Sequence, residues 1–358
     1  MDYFVIGNIS VVLVAGLTAG TLFTWLLIPI LHRLRTGQSI REEGPQSHQT
    51  KAGTPTMGGL AIIAATIVGC VVFRTLPTEL AAIIIVFLLF GALGFLDDYV
   101  KVAQHRNLGL RAYQKLILQI AIGAGLALYQ SRTSAFGTKV YIPFVDINPD
   151  FGIMYVPFIA FVIVAMANGV NLTDGLDGLA AGVTSMVALF YALLGFSLAT
   201  LALAGPWTMA LSGKSVGHPS MEAGIAMISG GGFCAALTGA CLGFLIFNRN
   251  PAKIFMGDTG SMALGGGLAA AAVIMNMAML LPLVGFVYVA EALSVVIQVA
   301  SYKTRKKRIF KMSPLHHHFE LSGLSERQVV RLFWVCTAVL CIIGWLSNLN
   351  ISTYLNWI

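Results

Sequence analysis

The run Leu80-Ala-Ala-Ile-Ile-Ile-Val-Phe-Leu-Leu-Phe-Gly-Ala-Leu-Gly-Phe-Leu96-Asp97-Asp98 decides the class of fold. From Leu80 to Leu96 no side chain is polar, and at about 1.5 Å per residue a helix over this stretch approaches the roughly 30 Å of a bilayer's hydrocarbon core. A helix apolar on every side has no face for water, so it belongs in a protein core or in lipid. The rest of the chain decides for lipid. Of 358 residues 57% are hydrophobic and 10% charged, where soluble domains average about 45–50% and about 25%. An ordinary cytosolic enzyme and a disordered chain are both excluded. Working outward, ten apolar stretches are long enough to cross: 11–31, 57–74, 80–96, 113–130, 154–170, 179–204, 223–247, 261–280, 282–302 and 329–347. The expected fold is an all-α integral membrane protein of about ten transmembrane helices, forming one polytopic domain over residues 1–358.

Charge placement orients it. With ten spans both termini share one side, and the loops after spans 1, 3, 5, 7 and 9 share the other. Those five loops hold eighteen of the twenty-two Lys and Arg residues, leaving Arg74, Arg132, Lys139 and Lys214 opposite. Basic residues gather on the cytoplasmic side of membrane proteins, so the five loops are expected to be cytoplasmic and both termini external. The net charge of +7 is thereby absorbed by topology, and no nucleic-acid partner is inferred. It is open to two readings: attraction to anionic headgroups of membrane lipids, or an anionic substrate arriving from the cytosol. The five cysteines all lie in apolar stretches and read as small core residues. The first apolar run lacks a basic leader, so no cleavable signal peptide is expected. Thr138-Lys-Val-Tyr-Ile-Pro143 alternates enough for a short external hairpin.

Five polar clusters interrupt this apolar chain. Lys51-Ala-Gly-Thr-Pro-Thr56-Met-Gly-Gly59 is a Gly/Pro turn at a helix start, where free amides either bind phosphate oxygens or simply cap. Asp97 and Asp98 end a helix, facing the negative end of its dipole, so a divalent cation or Lys101 one turn on must compensate. Asn168-Gly-Val-Asn171-Leu-Thr-Asp174-Gly-Leu-Asp177-Gly178 repeats amides and carboxylates every third residue, donors and acceptors suited to a nucleobase, a sugar or a metal. Asn248-Arg-Asn-Pro-Ala-Lys253-Ile-Phe255-Met-Gly257-Asp258-Thr-Gly-Ser261 sets one carboxylate among glycines, as oxygen coordination of Mg²⁺ beside phosphates needs. Phe255 is either a core anchor or a stacking surface for a base. Ser313-Pro-Leu-His316-His317-His318-Phe319-Glu320 has three contiguous imidazoles, which cannot easily meet one tetrahedral zinc. With the basic stretch 303–311 upstream, they suit a diphosphate better.

All five clusters fall on the side that the Lys and Arg count made cytoplasmic. Carboxylates for a metal, cations for phosphates and glycines for close approach point to phosphoryl transfer there. A transporter is the competing class, but Glu291 is the one acid well inside a span, no internal repeat is evident, and translocation paths usually need several midplane acids. Glu291 is expected to hydrogen-bond within the bundle.

The motifs at 51–59, 97–99, 168–180, 250–261 and 314–320 together resemble the phospho-N-acetylmuramoyl-pentapeptide transferases, a branch of the polyprenyl-phosphate N-acetylhexosamine-1-phosphate transferases. The triple histidine separates this branch from relatives that move N-acetylglucosamine phosphate. The resemblance implies transfer of phospho-MurNAc-pentapeptide from UDP-MurNAc-pentapeptide to undecaprenyl phosphate, giving lipid I and UMP, with Mg²⁺ as cofactor. It also implies a homodimer, a lipid groove beside a bent ninth helix, and a bacterial plasma-membrane location with the active site facing the cytoplasm. Catalytic roles then fall to Asp97, Asp98 and Asp258, with Asp258 the metal ligand. Lys51, Asn171, Asp174, Asp177 and Phe255 would hold the uridine end and His316 and His317 the phosphates or sugar. Thr56, Lys101, Lys115, Asn168 and His318 complete the implied substrate-binding set.

Overall fold

A computed structural model of the chain describes residues 2–34, 53–72, 76–103, 109–143, 145–211 and 219–347. These residues form helices α1 (Asp2–Arg33), α2 (Gly59–Val71), α3 (Thr78–Ala103), α4 (Ala112–Thr133), α5 (Tyr155–Thr173) and α6 (Leu179–Leu211). They continue with α7 (Pro219–Asn248), α8 (Gly257–Ile274), α9 (Leu281–Val284), α10 (Phe286–Arg305), α11 (Leu315–Glu320) and α12 (Glu326–Ser347). Eight of them are long and apolar enough to cross a membrane, which makes this a multi-pass membrane protein. Each of the ten expected spans finds a helix, with two differences. The stretches 57–74 and 261–280 become α2 and α8, of 13 and 18 residues, about 20 and 27 Å long. α2 is shorter than the roughly 17 residues a span takes, while α8 is as long as the shortest expected spans but is buried by its neighbours from Thr259 to Ile274.

Small residues bring the helices together. Between apolar helices in lipid there is little hydrophobic driving force, so association rests on close packing. Gly16 and Gly20 on α1 face Gly239 and Gly243 on α7: a Cβ on Gly16 would lie 2.5 Å from the Ala236 carbonyl oxygen, and one on Gly239 2.1 Å from that of Leu13. α6 packs along α7, α8 lies against α3 and α5, and α4 packs on α5. The stretch expected as 282–302 begins as α9, with Pro282 in its first turn, and breaks at Gly285 before restarting as α10. The expected hairpin amounts to two isolated bridges, Lys139 with Asp150 and Ile142 with Ile147, and no strand forms among the described residues. All five cysteines are free thiols.

Candidate active site

The C-terminus of α3, the N-terminus of α4, the C-terminus of α5 and the N-terminus of α8 meet at one end of the bundle. α3 and α8 touch backbone to backbone, since a Cβ on Gly94 would stand 2.1 Å from the carbonyl oxygen of Asp258. Gly257 starts α8 at φ +73°, a left-handed backbone that favours glycine. A Cβ there would also stand 2.6 Å from Asp98 Oδ2 and 2.9 Å from Thr56 Oγ1. Thr56 itself is buried.

The paired carboxylates find three kinds of partner. Asp98 caps α8: its Oδ1 accepts the Asp258 backbone N–H at 3.2 Å. Its Oδ2 accepts the N–H and hydroxyl of Thr259 at 2.8 and 2.7 Å. The unfavourable C-terminal end of α3 is thus answered by the favourable N-terminal end of α8. Asp97 accepts the Leu110 N–H at 2.7 Å on Oδ1, while Lys101 Nζ stands 2.7 Å and Lys115 Nζ 3.2 Å from Oδ2. Asp258 takes Asn171 Nδ2 at 3.0 Å on Oδ1, and Lys115 and Lys101 at 2.7 and 3.0 Å on Oδ2. Asn171 Nδ2 also reaches Ser261 Oγ at 2.9 Å. An unpaired ion removed from water costs several kcal/mol, so three carboxylates and two ammonium groups this close must be read as one unit.

That unit suits a divalent cation. Asp97, Asp98 and Asp258 each offer an oxygen within 4.8 Å of the others, the hard donor set that Mg²⁺ or Ca²⁺ takes. Their side chains are 1%, 5% and 18% exposed respectively, so Asp258 is the carboxylate most open to a ligand.

Around this centre the structure places the other expected residues unevenly. Asn168, one turn before Asn171, is turned aside: its Nδ2 donates to Gln119 Oε1 at 2.7 Å and to the Val164 carbonyl at 2.8 Å. Asp174 lies half-buried just past α5. Burial and the carboxylates of Asp258, Asp98 and Asp177 push its pKa up to about 8. Asp177 is buried in a network of its own. Its Oδ2 accepts Asn250 Nδ2 at 3.2 Å and the Ala252 N–H at 3.0 Å, and its N–H donates to Glu326 Oε1 at 2.8 Å. Arg327 Nε closes that network on Asn250 Oδ1 at 2.9 Å. The half-buried Phe255 clips two loops by its backbone, donating to the Pro55 carbonyl and accepting from Gly58 N–H, both at 2.8 Å. Lys51 lies outside the described residues.

The histidines divide as well. His316 is buried, with its backbone N–H 3.1 Å from Glu291 Oε1 and its Nδ1 3.2 Å from Glu291 Oε2. His317 Nδ1 is 2.9 Å from Glu320 Oε2. His318 Nδ1 accepts the Lys311 N–H at 3.2 Å, and its ring meets Phe310 edge-on. Reading by motif missed Gln119, Thr259, Asn250, Glu326 and Arg327. Thr259 and Asn250 lay inside quoted motifs but looked like spacers, while Glu326 and Arg327 look like an ordinary charged helix start.

The chain is similar to known proteins over most of its length. The family described as glycosyl transferase family 4 matches residues 80–276, and phospho-N-acetylmuramoyl-pentapeptide-transferase signature 1 matches residues 51–63. A protein of Desulfitobacterium hafniense named phospho-N-acetylmuramoyl-pentapeptide-transferase is 48% identical over 321 residues, which is 89% of this chain and 91% of that protein. One of the same name from Clostridium kluyveri is 47% identical over 323 residues, 90% and 93% of the two chains. A third, from Clostridioides difficile, is 44% identical over 322 residues, 90% and 91%.

Proposed function

The chain belongs to the phospho-N-acetylmuramoyl-pentapeptide-transferase family, and from that premise we propose that it makes lipid I. Undecaprenyl phosphate attacks the sugar-linked phosphorus of UDP-MurNAc-pentapeptide. A new P–O bond forms to the lipid phosphate, the bridging P–O bond breaks, and UMP leaves. The single observation that carries this reading is the convergence of Asp97, Asp98 and Asp258 with Lys101 and Lys115 on one point, the donor set phosphoryl transfer requires.

Mg²⁺ bound by Asp258, with Asp97 beside it, would neutralise charge on the diphosphate. Lys101 and Lys115 already reach Asp258 and stand where they can turn to phosphate oxygens. Asp98 holds the start of α8 through three hydrogen bonds and so fixes where Asp258 points. A phosphate monoester has a second pKa of about 6, so the lipid phosphate is largely dianionic at neutral pH and needs little help from a base. Asp98 is therefore assigned to orienting the nucleophile and the helix more than to taking a proton. Positioning and charge neutralisation carry the barrier reduction.

Asn171, bonded to Asp258, is assigned to the phosphate side. Asp174 is assigned to the uracil, with Phe255 available to stack and Lys51 assigned to the same end. Asp177 shapes this pocket through Asn250 and the Ala252 amide. Asn168, Thr56 and the three histidines support the sugar and phosphate ends. The site faces the cytoplasm, where the basic loops lie, and the working unit is a homodimer in a lipid bilayer.

The test uses purified protein in detergent with undecaprenyl phosphate and Mg²⁺, measuring UMP with UDP-MurNAc-pentapeptide and, separately, with UDP-N-acetylglucosamine. UMP from the first donor alone is expected. UMP from the second instead would reassign the sugar, and UMP from neither would defeat a transferase reading. UMP released without lipid acceptor would replace direct attack by a covalent intermediate on Asp258.

A further inference from the structure

Among the described residues Glu291 is the one acid set deep in an apolar helix, and it is fully buried, with 0% exposure. A carboxylate there is expensive unless it is paired. Its two oxygens both turn to one residue, His316, itself 1% exposed. Oε1 accepts the His316 backbone N–H, the kind of bond any amide or hydroxyl could make at the start of α11. Oε2 and His316 Nδ1 stand 3.2 Å apart without being aligned for a hydrogen bond, and so close a pair is attractive only with a proton between the two atoms. The opposite ring nitrogen points elsewhere: Nε2 packs on Gly175, where a Cβ would come within 2.2 Å of it. Gly175 follows Asp174 directly, in the loop that joins α5 to α6 and faces the carboxylate centre.

We infer that Glu291 is a positioning residue that holds His316 as the Nδ1–H tautomer and so presents the Nε2 lone pair to the Asn171–Asp177 loop. A carboxylate that takes one ring N–H of an imidazole fixes both its rotation and its tautomer, and leaves the other nitrogen as an acceptor. In the neutral ring Nε2 is then a bare acceptor, buried against Gly175 with no hydrogen-bond partner among the described residues. A glutamine at 291 would keep the bond to the α11 backbone but could turn its amide N–H toward Nδ1, forcing the proton to Nε2. The inference rests on the transferase reading only for its kinetic arm.

The test is nitrogen-15 NMR of the full-length protein labelled at its histidine rings, at a pH where the rings are neutral. His316 is assigned by the signals lost in His316→Asn. The wild type is expected to show a protonated Nδ1 and a bare Nε2 at His316, and Glu291→Gln the reverse. Glu291→Gln should lower kcat about ten- to hundredfold, the usual cost of removing an orienting partner, with KM for the nucleotide sugar unchanged. Wild-type His316 carrying its proton on Nε2, or on both nitrogens, overturns the proposal whether or not the variant folds. So does a tautomer switch in Glu291→Gln that leaves kcat at the wild-type value. Absence of transferase activity in the wild type would instead remove the functional reading and leave the ring-nitrogen result to stand alone.

Discussion

α4 and α8 serve the same carboxylate centre and are built in opposite ways. α8 is hidden from Thr259 to Ile274 and consists almost wholly of Gly, Ala, Ser and a few larger apolar residues. α4 exposes Leu116, Ile117, Leu118, Ile120 and Leu128, and turns Gln119, Gly123, Leu126, Ala127 and Gln130 inward. In water the large apolar side chains of α4 would be buried and its amides exposed. In lipid the arrangement reverses, because hydrocarbon solvates leucine well and amides only inside the bundle find partners. The inward stripe of α4 follows helical spacing through Lys115, Gln119 and Gly123, so one face delivers both the ammonium group to Asp258 and the amide to Asn168. α8 gives a carboxylate at its first turn and otherwise only a slender backbone that neighbours can approach.

Breaking the α8 side should have the largest effects. Asp258→Asn keeps the shape and removes the exposed carboxylate, so UMP release should fall by about 10²–10³ or more even at raised Mg²⁺; near-normal turnover would contradict the assignment. Gly94→Val forces α3 away from the Asp258 carbonyl. A displacement near 1 Å at such a site costs about 10²-fold in rate, and overpacking of this kind costs about 1–3 kcal/mol of stability. A thermal melt and the UMP assay read both, and a variant with unchanged rate would show that the close contact is incidental.

Asp174 sharpens the comparison through pH. Its pKa is raised to about 8 in the fold, against about 4 unfolded. The folded state therefore holds the proton more tightly, and this group's contribution to stability is present at low pH and lost as pH rises from about 4 through 8. In metal-free protein the melting temperature should fall across that window, and Asp174→Asn should flatten the slope. The smallest effect belongs to the lipid-facing side of α4. Ile117 is 61% exposed on the outward face of α4, so Ile117→Ala should move stability by less than about 0.5 kcal/mol and turnover not at all.

Most of the fold was legible in sequence because lipid imposes a simple rule: a long run without polar side chains is a helix. The rule fails where protein replaces lipid. α8 is hidden inside the bundle, where neighbours and not lipid surround it, and α2 keeps Val68 and Val71 exposed but ends at Val71, so apolarity overstated the reach of 57–74. The centre was legible because Asp97, Asp98 and Asp258 are costly where they stand, so each was expected to find a partner. Their mutual geometry was not, since it depends on Gly94 meeting Asp258, a contact between residues 164 positions apart in number. Asp177 and Asn168 looked equivalent to Asn171 and Asp174 by spacing. Only the fold separates the pair bonded into the frame, Asp177 on Asn250 and Asn168 on Gln119, from Asn171, bonded to Asp258, and Asp174, whose carboxyl feels the Asp258 charge. Glu291 was visible as an anomaly, while His316, its partner, is distant in sequence.

The central claim is that the meeting of α3 and α8 makes one divalent-cation site on Asp258. Mn²⁺ titration of the purified protein in the presence of UMP, followed by electron paramagnetic resonance in wild type and Asp258→Asn, tests it most directly. One bound ion per chain in the wild type and none in the variant is the expected result. Equal Mn²⁺ binding by the two proteins would contradict the account.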